Sequence, residues 1–289
     1  MNFYKDKKVL VTGSRGMIGK QLVELLVNNE SEVYEADLKL GQNLKEFQLC
    51  VSLCMGMDYI FHLAGIKGSP RMTQKRPADF FVPMVQFNTN MLEAARLANV
   101  ERFLYTSSIA VLYPEMDKYP AWAKKTGEMQ IEAYRKQYGS DGFTIVRPAN
   151  VYGPYDDFSN PDAMVVTSLI NKVGSGKNPI EVWGDGSNVR DFIHAKDVAR
   201  AMMLVMEKNP QQYPVNIGTG TSHSVRTLVN KIMEIMDHKP TINWKGHVPT
   251  GDQSKLLSTD RLKFLGFKPE FDLQKGLEDT IKWYIKNVR

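Results

Sequence analysis

The chain has 289 residues, 43% of them hydrophobic and 24% charged, an ordinary globular composition that excludes a disordered or fibrous protein. Its 37 Lys and Arg against 32 Asp and Glu leave +5, with the basic residues scattered and the densest group being Lys5, Lys7 and Lys8, so no nucleic-acid-binding stripe is expected. No apolar run approaches the ~18 residues of a membrane span, and Met1–Asp6 leads into a strand-like run without a signal-peptide apolar region.

In chain order, Lys8–Thr12 (KVLVT), Glu32–Ala36, Tyr59–Leu63, Phe103–Ser107 and Phe143–Val146 are short apolar runs that read as strands. Between them, Asn88–Val100 carries Met91, Leu92, Ala94, Ala95 and Ala98 at helical spacing, and Trp122–Tyr138 is a second long helical stretch. Strands alternating with helices predict a parallel sheet with crossover helices on both faces. Strands buried on both faces need apolar residues throughout, which is why these runs do not alternate. Cys50 and Cys54 have no clustered histidines around them. The spacing predicts two reduced thiols on a helix in a cytoplasmic protein, with no metal and no disulfide.

After Arg147-Pro148 the texture changes. Asn150–Asp162 and Lys172–Asp191 are rich in Gly, Pro, Asp and Asn, the composition of loops on which substrate contacts usually lie. Two amphipathic patterns follow, through Val225, Leu228, Val229, Ile232 and Met236, and through Leu273, Leu277, Ile281, Tyr284 and Val288. The predicted fold is α/β: a Rossmann-type doubly wound parallel sheet with a smaller C-terminal α/β lobe. The dinucleotide-binding domain is expected at 1–148, with crossings near 180–200, and the substrate lobe mainly at 149–289.

The sharpest local signal is Gly13, Gly16 and Gly19, a G-x-x-G-x-x-G directly after the first strand and at the opening of a helix. Gly13 permits a tight turn, Gly16 lets backbone N–H groups approach a pyrophosphate, and Gly19 lets helix and strand pack closely. An acidic residue should end the second strand to hold the adenosine ribose. Asp37 stands 18 residues after Gly19, and a carboxylate there repels a 2′-phosphate, favouring NAD over NADP. Lys39 nearby is the counter-argument.

These motifs, with His62-Leu63-Ala64-Gly65, Thr106-Ser107-Ser108, Arg147–Pro154, Trp183–His194 and Asn216-Ile217-Gly218, resemble the extended short-chain dehydrogenase/reductases. The branch is that of the NAD-dependent nucleotide-sugar epimerases and dehydratases. Tyr155–Phe158 and Gly251–Leu257 bring the chain nearest to the GDP-fucose synthase-like members. The resemblance implies that Gly13, Arg15, Gly16, Met17, Ile18, Gly19, Asp37, Asn43, Leu44, Leu63, Ala64, Gly65 and Lys124 surround the dinucleotide. It also implies that Asn150, Trp183, Arg190 and Lys255 bind a nucleotide-diphosphate sugar, a GDP-sugar by resemblance alone. The family's four-helix interface implies a homodimer through Asn88–Val100 and Trp122–Tyr138. His62, at a strand end, is expected to satisfy a neighbouring polar group rather than a metal.

The family moves a hydride between a sugar carbon and the nicotinamide. A Ser or Thr bonds the sugar oxygen, and a Tyr whose pKa is lowered by a nearby Lys moves the proton. Ser108 and Lys124 match the first and last positions. The pattern Tyr-x-x-x-Lys wants tyrosine at 120, which is Pro120, and Tyr119 is one residue early. Five residues of regular helix separate two side chains by about 140°. Tyr119 therefore reaches Lys124 only if Pro120 opens the helix and leaves Tyr119 on its flank; Tyr113 is the weaker candidate. Ile109 and Met164 replace the Cys and His of the epimerising GDP-fucose synthases, and Ile109-Ala110 replaces the Asp-Glu pair of the dehydratases. Two expectations follow. The first is an NAD-dependent enzyme acting on a nucleotide sugar, most simply at C4. The second is a dinucleotide- and nucleotide-sugar-binding protein whose turnover was lost with the tyrosine.

Overall fold

The computed structural model describes residues 2–115, 117–160, 163–208, 214–246 and 257–289. The first half alternates as read: β1 (Lys8–Thr12), α1 (Met17–Asn28), β2 (Glu32–Ala36), α2 (Phe47–Cys54), β3 (Tyr59–His62), α3 (Pro70–Lys75), α4 (Pro77–Leu97), β4 (Arg102–Thr106), α5 (Lys118–Tyr138) and β5 (Phe143–Pro148). The second half continues with β6 (Asn150–Tyr152), α6 (Val165–Gly174), β7 (Ile180–Trp183), β8 (Val189–His194), α7 (Ala195–Lys208) and β9 (Val215–Ile217). It closes with β10 (Ser222–Ser224), α8 (Val225–Ile235), β11 (Ile242–Lys245), α9 (Asp260–Phe264) and α10 (Leu273–Asn287).

Six strands form one parallel sheet in the order β2-β1-β3-β4-β5-β9. Strand succession reverses between β1 and β3, and the crevice outside the carboxyl ends of these strands is where ligands of open α/β sheets bind. Successive β1 residues serve opposite faces, as a strand of period two must. Val9 and Val11 pack with Leu22 and Leu26 of α1 and with Val198, Met202 and Val205 of α7. Leu10 packs with Cys50 and Cys54 of α2 and with Met84, Met91 and Leu92 of α4. Burial of Leu10, Met91 and Leu92 is complete, and truncating any one of them to alanine costs about 2–5 kcal/mol.

The smaller lobe has its own core. Val166 and Ile170 of α6 meet Leu228 and Ile232 of α8 and Leu277 and Ile281 of α10, over the strand pair β7-β11 and the triplet β10-β8-β6. The chain returns to the first layer through α7 and β9, so the crossing falls at Ala195–Ile217, later than 180–200. The reason is visible in the pairing: Ile180–Trp183 pairs with β11 in the lobe, whereas Val215–Ile217 pairs with β5.

The two long helices begin earlier than the apolar spacing suggested. Helix α4 starts at Pro77, well before Asn88, and runs through Pro83; helix α5 starts at Lys118, before Trp122. Polar and proline-bearing first turns carry no apolar stripe, so periodicity misses them. Both cysteines are free and buried in the core. Burial pushes the Cys50 thiol up to about 11 and the Cys54 thiol up to about 12, which makes both unreactive at neutral pH. No helix among the described residues is long and apolar enough to cross a membrane.

Candidate active site

The cradle is made of backbone. Gly13 follows β1 at φ +69, and its N–H donates to the Ala36 carbonyl at 2.7 Å, turning the chain sharply at the strand end. A Cβ there would meet the Ala64 nitrogen at 2.9 Å, so β3's extension also presses on this residue. Gly19 is tighter still: a Cβ would lie 2.2 Å from the Gly13 carbonyl oxygen. Gly16 is different. Its φ of −81 suits any residue, and its Cβ would lie 3.2 Å from the same oxygen, a crowded contact that a small shift relieves. Neither its backbone nor its neighbours therefore demand glycine at 16 as strictly as at 13 and 19. Gly16 caps α1 without a side-chain hydrogen bond, so the first turn presents its N–H groups to the crevice, as a pyrophosphate requires. The Ser14 hydroxyl is fully buried with no partner among the described residues. These observations fit a dinucleotide.

Asp37 ends β2 beside the cradle. One carboxylate oxygen accepts from the Arg15 N–H at 3.0 Å and the other from the Lys39 N–H at 2.9 Å. The Arg15 guanidinium pairs with Glu35 at 3.2 Å. Of the other expected cofactor contacts, Leu63, Ala64 and Gly65 extend from β3 over Thr12, whose backbone and side-chain oxygens accept from the Leu63 and Ala64 N–H groups at 3.1 and 3.3 Å. Met17 and Ile18 open α1. Leu44 is a core residue whose carbonyl accepts from Asn90, and the Asn43 side chain accepts from the Lys45 N–H, so neither is bonded to the cradle.

His62 donates from Nε2 to Asn88 at 2.9 Å and accepts at Nδ1 from Thr12 at 2.7 Å, the assignment that satisfies all partners. Burial, with Lys124 nearby, drives its pKa down to about 3. It stays neutral, and both ring nitrogens are taken. Asn88 in turn donates to the Tyr105 hydroxyl at 3.0 Å, which donates to the Lys124 carbonyl at 3.3 Å. Gly127 makes this possible, since a Cβ there would meet the Tyr105 ring at 2.4 Å.

The Lys124 ammonium donates to the Thr106 carbonyl at 2.7 Å, and a Cβ on Gly65 would lie 3.7 Å from it. It is thus held between the ends of β3 and β4, and burial pushes its pKa down to about 8. Ser108 lies two residues beyond Thr106, where its Oγ accepts from the Ala110 N–H at 3.1 Å and caps a single turn at Ile109–Leu112. Its neighbour Ser107 is buried and donates to Glu128 at 2.6 Å. Glu128, fully buried, also receives Arg147 at 2.7 and 2.6 Å and Lys125 at 3.2 Å. Burial pushes the Glu128 carboxyl up, but the bonds from Arg147, Ser107 and Lys125 outweigh it and hold it below the usual range. The sequence reading missed Glu128, although its place four residues after Lys124 puts both on one helix face.

Tyr119 requires a correction. Helix α5 begins at Lys118, so Pro120 is its third residue, not its first, and Tyr119 lies inside the helix. With helical spacing restored, Tyr119 is about 140° around from Lys124. Its ring is 39% exposed and lies 5.8 Å from the Lys118 ammonium. Lys118 and Tyr119 complete a first turn because proline is tolerated there, where its missing N–H has no partner to lose.

In the other lobe, Asn150 donates to the Asp191 carbonyl at 3.0 Å, Arg190 lies in β8 opposite His223, and Trp183 ends β7 with its ring 44% exposed. Lys255 lies outside the described residues. The lobes meet across the crevice where Lys67, after β3, pairs with Asp156 at 2.7 Å, and where the Lys20 ammonium lies 4.8 Å over the Tyr155 ring. Lys67 was not singled out from sequence, because nothing in its local pattern distinguishes it from a loop charge, and Asp156 entered only as part of the Tyr155–Phe158 stretch, with no role given to it.

A reversing parallel sheet with a glycine cradle at its switch point defines a Rossmann-type dinucleotide-binding protein. More narrowly, the chain belongs to the NAD dependent epimerase/dehydratase family, whose model matches residues 9–218. It is 30% identical to a probable GDP-L-fucose synthase 1 of Oryza sativa subsp. japonica, over 99% of this chain and 95% of that protein. The UDP-N-acetylglucosamine 4-epimerase of Methanobrevibacter ruminantium, solved with UDP-N-acetylmuramic acid, superposes with a TM-score of 0.88 at 25% identity, covering 98% of this chain and all of that one (100%). The UDP-glucose 4-epimerase of Thermotoga maritima, solved with UDP-glucose, gives 0.85 at 27% identity, covering 98% and 100%.

Proposed function

We propose that the protein is an enzyme that moves a hydride at a carbon of a nucleotide-diphosphate sugar, most simply C4, with NAD as its partner. The observation that carries this reading is the Lys124 ammonium held between Gly65 and the carbonyl of Thr106, two residues before Ser108. Bound in the cradle, a nicotinamide dinucleotide supplies the hydride acceptor or donor. Gly13, Gly16 and the first turn of α1 hold its pyrophosphate, Asp37 its adenosine ribose, and Lys124 its second ribose. The Ser108 hydroxyl donates to the reacting sugar oxygen and fixes its position. Asp37 supports NAD over NADP, because a 2′-phosphate would face a carboxylate already oriented by the Arg15 and Lys39 N–H groups, with the Arg15 charge occupied by Glu35.

Arg190 suits the diphosphate through its planar fork, and the resemblance adds Asn150 and Lys255 as further contacts and Trp183 as a ring for the base. The GDP-fucose synthase relative supports a guanine nucleotide, whereas the two epimerase structures carry UDP-sugars. A homodimer through α4 and α5 is supported by their exposed apolar residues Val82, Leu97, Trp122 and Met129. Free buried thiols are in keeping with a cytoplasmic protein. The binding-only alternative finds no support, since the relatives named above are enzymes by name. The test is direct: protein purified without added cofactor is assayed for bound NAD(H), then mixed with UDP-, GDP- and dTDP-sugars while the reduced-nicotinamide absorbance is followed. Because epimerisation regenerates the cofactor, the sugars are also separated by chromatography, and the absence of both a spectral change and an altered sugar at saturating cofactor overturns the reading.

A further inference from the structure

Two adjacent residues of the smaller lobe, Tyr155 and Asp156, touch opposite banks of the crevice. On one bank, the Lys20 ammonium of α1 lies 4.8 Å over the Tyr155 ring, one residue beyond Gly19 of the cradle. On the other bank, the Lys67 ammonium donates to Asp156 at 2.7 Å. Lys67 stands two residues beyond Gly65, where a Cβ would lie 3.7 Å from the Lys124 ammonium. Lys20 follows the loop after β1, and Lys67 follows β3, the two strands between which the succession reverses. The dipeptide therefore spans the crevice at the switch point of the sheet, where a dinucleotide lies in folds of this kind.

The span is anchored firmly on its own side. One Asp156 oxygen accepts from the Thr167 hydroxyl of α6, the other also accepts from the Asp157 N–H at 2.9 Å, and the side chain is only 7% exposed. Phe158 packs on Trp283 and Tyr284, and its carbonyl accepts from Asn171 at 2.6 Å. Tyr155 adopts φ +67, a left-handed conformation that is costly for a bulky residue and persists only where its surroundings impose it. Lys20 and the Trp283 ring, 5.3 Å away, are those surroundings. Across the crevice the fastening is light. Lys67 is 49% exposed, and a cavity of about 60 Å³ beside the pair is lined by Gly68 on one bank and by Asp157, Ala163 and Met164 on the other. Here the banks are joined at side-chain tips. An ion pair and a cation–π contact of this exposure each hold weakly enough to open without unfolding either lobe.

We infer that Tyr155 and Asp156 form a clasp, fastened to Lys20 and Lys67, that closes over the dinucleotide and whose opening sets the rate of cofactor exchange. The inference rests on the dinucleotide-binding part of the reading above. Both contacts join protein groups alone, so the clasp bars entry as much as exit. Loosening it speeds uptake and release by the same factor and leaves the equilibrium affinity where it was. A residue that bonds the dinucleotide directly behaves differently, because its loss speeds release and weakens affinity.

The test follows NADH fluorescence in rapid mixing for the full chain and its Lys67→Met, Asp156→Asn and Tyr155→Leu variants. Each variant is expected to release and take up NADH about threefold or more faster than wild type, with Kd within about twofold. Combining Lys67→Met with Asp156→Asn should give no further acceleration, since both remove the same contact, whereas adding Tyr155→Leu to Lys67→Met should. Lys67→Met keeps the side-chain stem at a half-exposed position, so wild-type exchange rates in this variant overturn the inference even if Asp156→Asn unfolds. A Kd raised in Lys67→Met but not in Asp156→Asn also overturns it, because Lys67 would then bond the dinucleotide itself. If wild type binds NADH and the variants exchange it at the wild-type rate, the hydride-transfer reading stands and the clasp alone fails. If wild type binds no dinucleotide, both fail together.

Discussion

The glycine cradle and the inner ridge of α5 form two walls of one site, yet they are built by opposite means. The cradle works by the absence of side chains: Gly13 and Gly19 leave no space for a Cβ, and their neighbours are backbone atoms that cannot move aside. The ridge works through side chains alone, with Lys124 half-buried and Glu128 buried on it and both committed to strand ends by hydrogen bonds. A backbone device tolerates no substitution but needs no charge balance. A side-chain device can exchange one residue for another, provided every buried charge keeps its partner. This is how the ridge can hold proline at position 120 and remain a folded, fully bonded wall.

The largest expected effect is at the ridge's buried charge. Glu128→Ala leaves Arg147 uncompensated and Ser107 without its acceptor, and should cost about 3–5 kcal/mol of stability in urea unfolding. Glu128→Gln, which keeps the acceptor oxygen, should lose visibly less. In the cradle, Gly19→Ala forces a Cβ against the Gly13 carbonyl and should cost about 1–3 kcal/mol together with cofactor affinity. Gly16→Val should keep its Tm and lose dinucleotide binding in a calorimetric titration. Equal loss of Tm at 16 and 19 would erase the distinction between a packing glycine and a ligand glycine.

That distinction was legible in the sequence because the demand is local: strand, turn, glycine and helix follow one another within twelve residues, Lys8 to Gly19. On the ridge, sequence singled out only Lys124, a residue type whose charge commits it chemically; its catalytic role remains a proposal. Glu128 was not singled out, since its partner Arg147 lies on a different element and only the folding of α5 against β5 brings the two together. Tyr119 was misplaced for a physical reason. Proline was taken to begin the helix, but it fits anywhere in the first turn, and a shift of two positions rotates Tyr119 off the ridge. The crossing of the chain at Ala195–Ile217 was displaced because short edge strands such as Val215–Ile217 carry too few residues for a periodic signal.

Smaller effects sharpen the comparison on the catalytic side. Ser108→Ala should spare cofactor binding and lower kcat about 10²-fold through the lost bond to the reacting oxygen. Lys124→Met should lower rate and cofactor affinity together, and it carries a pH signature. The native pKa of Lys124 is about 8 against 10.5 for an unperturbed lysine. Across that window the native state binds fewer protons than the unfolded one, so stability contributed by this site rises as pH rises from about 8 toward 10.5. A thermal-unfolding series from pH 7 to 10 should show this slope in wild type and not in Lys124→Met. An identical slope in both would mean that the ammonium is not enclosed.

The smallest effect belongs to the cradle's one charged side chain. Asp37 should make NAD(H) bind about tenfold tighter than NADP(H), or ~1.4 kcal/mol, because the carboxylate would repel a 2′-phosphate while accepting from the ribose hydroxyls. The measurement is a pair of titrations on wild type and on Asp37→Asn. Asparagine keeps an oxygen for the Arg15 N–H, now 3.0 Å from the carboxylate, so the loop is retained while the charge is removed. The ratio should then fall toward one, chiefly through a gain in NADP(H) affinity rather than a loss in NAD(H). Were both affinities to fall in parallel, Asp37 would be a fastener for the Arg15 and Lys39 backbone and no more, and the cradle would be indifferent to the second phosphate.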